Sequence, residues 1–98
     1  MPGAAPTEKP LGSFAAFPIE GGPMGRVVLT QDDVRLEIGN QPRRYRRNLI
    51  EWLNKEGDLP LNKVGVALAF YDLHGDRGVE HFAMRENEYR ALKQMLGK

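Results

Sequence analysis

The chain has 98 residues, 41% of them hydrophobic and 28% charged, with a net charge of +1. That suits one compact domain burying roughly two-thirds of the surface its unfolded chain exposes. It excludes a disordered chain and a binder that works by net charge alone. The absence of cysteine excludes a disulfide framework and thiolate chemistry.

Residues 1–10 are rich in Pro, Ala and Gly and read as a flexible tail ahead of a single compact α+β domain over 11–98. The start has neither the basic end nor the apolar centre of a secretory signal. No apolar run spans a bilayer, so a cytoplasmic location is expected. Phe14, Phe17 and Ile19 suit a short strand, and Pro18 assigns it to an edge. Gly21, Gly22, Pro23 and Gly25 mark a loop. Val27, Val28 and Leu29 form a strand. After a turn at residues 31–33, Val34, Leu36 and Ile38 alternate with Arg35 and Glu37, completing a hairpin.

Residues 42–56 carry the strongest helical pattern. Pro42 suits the first helical position and Gly57 the stop. Tyr45, Leu49, Trp52 and Leu53 recur at i, i+4, i+7 and i+8, and no strand alternation competes. Residues 63–73 then form a strand with Val64, Val66, Leu68 and Phe70 on one face and Gly65, Ala67, Ala69 and Tyr71 on the other. Two apolar faces make it central, and the small residues suit a close helix. Residues 74–78 are a turn, 79–84 a strand with Phe82 and Met84 on one face, and 87–96 a helix striped by Tyr89, Leu92 and Leu96. The expected order is β-β-α-β-β-α, with a possible extra N-terminal strand. The architecture is a small antiparallel sheet with two helices packed on one face. The stretches YRRNLIEWL and YRALKQML look alike and suggest a repeated unit, although one residue out of register.

Arg43, Arg44, Arg46 and Arg47 surround Tyr45 where the first helix is expected to start. Arginines there oppose the helix dipole at about 0.3–1 kcal/mol each, and the like-charged Arg43 and Arg47 add a few tenths. One reading is an anion site, with guanidinium forks and helix N–H groups on phosphate. The other is a solvated face on which Arg47 pairs with Glu51. Arg35 and Arg77 would extend a phosphate track, and Tyr45 would either stack a base or belong to the core.

Asp72, His74, Asp76, Glu80 and His81 gather around the second hairpin, but their spacing matches no metal-ligand set. Ser13 is the sole serine, and no Gly-rich turn joins a strand to a helix. No catalytic residues, metal site or cofactor are therefore expected.

Residues 63–96 resemble the end of the positive-cofactor-four family of single-stranded DNA-binding transcriptional coactivators. The resemblance rests on the strand Lys63–Tyr71, on Asp76, and on Arg77-Gly78 leading the next strand. It continues through Glu86, Asn87 and Glu88 at a helix start, then Tyr89 and Leu92-Lys93. It implies a curved sheet with a C-terminal helix, dimerisation through that helix, and strand binding along basic and aromatic residues. The expectation is a small non-enzymatic domain binding single-stranded nucleic acid through Arg43, Arg44, Tyr45, Arg46 and Arg47, with Arg35 and Arg77. The alternative is a regulator, inhibitor or assembly subunit that docks an acidic protein. An apolar sheet face on so small a domain is one a homodimer would use.

Overall fold

The computed structural model describes residues 10–98, so the expected tail lies, apart from Pro10, outside the described residues. Seven strands precede one helix: β1 (Gly12–Ala16), β2 (Gly25–Leu29), β3 (Asp33–Glu37), β4 (Arg43–Arg46), β5 (Ile50–Leu59), β6 (Lys63–Tyr71), β7 (Arg77–Arg85) and α1 (Glu86–Leu96). They form two antiparallel sheets, ordered β1-β2-β3-β4 and β5-β6-β7. The expected β-β-α-β-β-α order with two helices on one face is therefore corrected to two sheets and, among the described residues, one helix.

The correction falls on residues 42–56. They hold β4, a 3-10 turn at Arg47–Leu49 and the first part of β5. A bulge explains the misleading pattern. Ile50 pairs with Phe70 and Trp52 with Ala69, leaving Glu51 as an extra residue. Ile50 and Leu53 are thus both buried although three apart, a spacing that imitates a helix. A second irregularity falls between Lys55 and Gly57, so no long window of β5 shows a period of two. Pro42, expected at a helix start, instead precedes an edge strand, where its missing N–H costs no ladder bond. The two look-alike stretches part company here, one becoming strand and turn, the other α1.

Elsewhere local chemistry and fold agree. β2 and β3 form the expected hairpin, with Val27 opposite Leu36 and Leu29 opposite Val34. β1 is the edge strand, and β6 is central. The last helix has Glu86 and Glu88 in its first turn, buries Tyr89, Leu92 and Leu96, and ends at Gly97 in the left-handed region with φ 77°.

The inner faces of the two sheets and α1 enclose one core. Val27, Leu29, Val34 and Leu36 meet Val66, Leu68, Phe82 and Met84 there, with Leu92 among them. Each such side chain contributes roughly 1.5–3 kcal/mol on burial. The sheets are tied where Phe17 and Ala83 exchange two backbone hydrogen bonds, each 2.8 Å. Glu88 Oε1 also accepts the Ala15 N–H at 3.0 Å, binding α1 to β1.

The small row on β6 carries no helix. Gly65, Ala67 and Ala69 are buried instead beneath longer side chains of the flanking strands. His81 of β7 reaches Glu56 of β5 at 2.8 Å, and Arg77 of β7 reaches Glu51 at 2.7 Å. Small residues on the middle strand leave room for outer strands to bridge over it. Among the described residues, no helix is long and apolar enough to cross a membrane.

Candidate nucleic-acid interface

β4 sorts the arginine cluster by strand alternation. Arg43 and Tyr45 turn inward, and Arg44 and Arg46 outward. On the inner side, Arg43 Nε meets Glu80 Oε2 at 2.5 Å, and the Tyr45 hydroxyl donates to the same oxygen. The Tyr45 ring stacks on Phe70, centroids 4.0 Å apart and planes 30° apart. Phe70 in turn lies against Gly78, where a Cβ would come 2.5 Å from the ring and force it to shift. Burial, then the Glu80 carboxylate, push the Tyr45 phenol well above its ordinary range. For Arg43, burial pulls downward, but the hydrogen bond and charge of Glu80 outweigh it and raise the guanidinium. Arg43 and Tyr45 thus anchor β4 to sheet β5-β6-β7, and Phe70 takes one face of the Tyr45 ring.

On the outer side, Arg44 lies directly opposite Arg35 of β3. Like charges abreast on neighbouring strands oppose each other. The Arg35 Nε is buried and has no hydrogen-bond partner among the described residues. Arg44 is 67% exposed, with Asp33 Oδ2 3.7 Å away. Arg46 follows two residues along the same face, opposite Asp33, and makes no ion pair or side-chain hydrogen bond among the described residues. Arg35, Arg44 and Arg46 therefore form one contiguous cationic patch.

The remaining expected residues have other partners. Arg47 does not pair with Glu51. Its Nη2 donates to the Met95 carbonyl at 2.6 Å, placing positive charge at the C-terminal end of α1, as the dipole prefers. Arg77 lies on the outer face of the other sheet, 5.8 Å from the Trp52 ring centre and bonded to Glu51. No α-helix starts at the cluster, only the one-turn 3-10 element at Arg47–Leu49.

The patch opens onto a cleft of about 930 Å³ between the sheets and the end of α1. Arg44, Arg46, Arg47 and Lys98 line it together with Tyr71 and Leu73. Asp32, Asp33 and Asp72 also line it and moderate its positive charge. Tyr71, Leu73 and Lys98 were not among the sequence candidates. The available signal was an aromatic and a leucine bracketing Asp72 immediately before a glycine turn.

The residues around the second hairpin do not converge. Asp72 Oδ1 accepts the N–H groups of His74 and Asp76 at 2.8 and 2.9 Å. The Asp76 N–H chiefly, with that of His74, holds the Asp72 carboxyl below its usual range. Asp72 is thus a turn residue. Alternation along β7 puts Glu80 on the inner face and His81 on the outer. Among the described residues no group of three or more His, Cys, Asp or Glu side chains is placed to hold a metal ion. Compared with protein-family models and with curated proteins, the chain finds no match.

Proposed function

We propose that this chain is a small non-enzymatic, cytoplasmic module that binds single-stranded nucleic acid along the outer face of β3 and β4. One observation carries the reading: Arg35 and Arg44 stand abreast on the outer sheet face with Arg46 beside them. A phosphate held between their guanidinium groups would relieve the cross-strand repulsion. The cations lie on an open sheet surface rather than on an element shaped to enter a duplex groove, which favours a single strand over a double one. The three aspartates in the adjoining cleft favour a second reading, a protein partner of mixed but mainly acidic charge.

Fluorescence anisotropy of a labelled random single-stranded oligonucleotide, at two salt concentrations, tests the first reading. Affinity is expected to fall with a log–log salt slope of about −0.7 per phosphate contact. Absence of binding at low salt would exclude it and direct the search to acidic protein partners.

A further inference from the structure

We infer that the cleft beside the arginine patch is a subsite for one nucleobase of the bound strand, with Tyr71 and Leu73 as its contact surface. The inference rests on the nucleic-acid reading above and goes beyond it by giving the site a base-contacting wall.

The cleft brings two kinds of surface together. Arg44, Arg46 and Arg47 line it, with Asp32 and Asp33 among them. Tyr71, 38% exposed, and Leu73, 77% exposed, line it on either side of Asp72 in the chain. A single exposed leucine needs no explanation. Here an aromatic and a leucine, two residues apart, line the same cleft as the arginines. A nucleotide combines the matching parts, an anionic phosphate and a flat, weakly polar base.

Leu73 is also held in place. The Asp72 N–H donates to the Asp76 carbonyl at 2.9 Å, and the Gly75 N–H to the Asp72 carbonyl at 3.0 Å. Together with the two bonds to the Asp72 carboxylate, they fix the loop on both sides of Leu73. Gly75 has φ 86°, a value a glycine adopts without strain. The loop thus displays its leucine on a braced frame, so little conformational freedom remains to be lost when a base settles on it. Asp72 acts here as a positioning residue.

The test compares labelled oligothymidine with an abasic oligomer of the same length and charge, on the wild-type chain, Tyr71→Ala, Leu73→Ser and Arg44→Ala/Arg46→Ala. The wild-type chain is expected to prefer oligothymidine by about tenfold. Tyr71→Ala should remove most of that preference and Leu73→Ser part of it, both leaving abasic binding unchanged. The double arginine variant should weaken both ligands alike. Equal wild-type affinity for the two ligands would overturn the base subsite while leaving phosphate binding intact. A Tyr71→Ala loss equal for both ligands would also overturn it. Failure of both ligands to bind at low salt would overturn the nucleic-acid reading as well.

Discussion

The outer faces of the two sheets carry similar residues and use them differently. On β5-β6-β7, two side chains of β7 span the small row of β6 to an acid: Arg77 to Glu51 and His81 to Glu56. On β2 and β3, Arg26 pairs with Glu37 in the same way, at 2.6 Å. On β3 and β4 the middle of the face is arginine against arginine, and Asp33 lies between Arg44 and Arg46 at a distance too long for a hydrogen bond to Arg44. Local neutrality is thus available to this chain and is left out at one place, where an external anion can complete it.

The comparison breaks most visibly in binding. Arg35→Ala/Arg44→Ala/Arg46→Ala should lower oligonucleotide affinity about 100-fold at low salt and reduce the magnitude of the salt slope by about 2. Arg77→Ala on the outer face of the other sheet should change affinity less than about twofold. Anisotropy titrations of both variants decide it, and equal losses would erase the distinction.

The inward anchor of β4 gives the next effect. Glu80 is 19% exposed and accepts from both Arg43 and Tyr45. Glu80→Ala leaves two donors without their acceptor and should cost about 2 kcal/mol, read from the midpoint of urea unfolding. The same anchor sets a pH dependence. The Tyr45 phenol is raised in the folded state, so its contribution is complete below the ordinary tyrosine value, about 10, and is lost as pH climbs beyond it. Urea midpoints should fall between about pH 9 and about pH 11, and Tyr45→Phe should flatten that fall.

Smaller effects separate stability from binding. Arg35→Met removes the cross-strand repulsion and the unpartnered Nε, and should raise stability by about 0.5–1 kcal/mol while weakening oligonucleotide binding. Loss of both properties together would mean Arg35 is a structural residue. His81→Ala should change the unfolding free energy by no more than about 0.5 kcal/mol, because its pair with Glu56 is exposed.

These contrasts also show what the sequence makes legible. The β2–β3 hairpin, the centrality of β6 and the stripe of α1 follow from unbroken periodicity, since nothing interrupts the side-chain order. Residues 42–56 were not legible, because the bulge at Glu51 converts a strand's alternation into a spacing of three. The arginines were visible as a cluster, but their division was not. That Arg43 turns in while Arg44 turns out depends on β4 being a strand, and that Arg35 stands beside Arg44 depends on the β3–β4 register. Tyr71 and Leu73 were hidden for another reason. The first reads as the end of a buried strand and the second as part of a turn, and only the approach of the sheets brings them into one cleft with the arginines.

The pair of hydrogen bonds between Phe17 and Ala83 has a kinetic consequence. Each sheet can assemble from hairpins between neighbouring strands, which are local and quick to form. The Phe17–Ala83 bridge joins points near opposite ends of the described chain, so the whole intervening length must be gathered before it closes. Docking of the two sheets would then be a late event in folding. The cleft they share would be among the last features to acquire its shape and among the first to open.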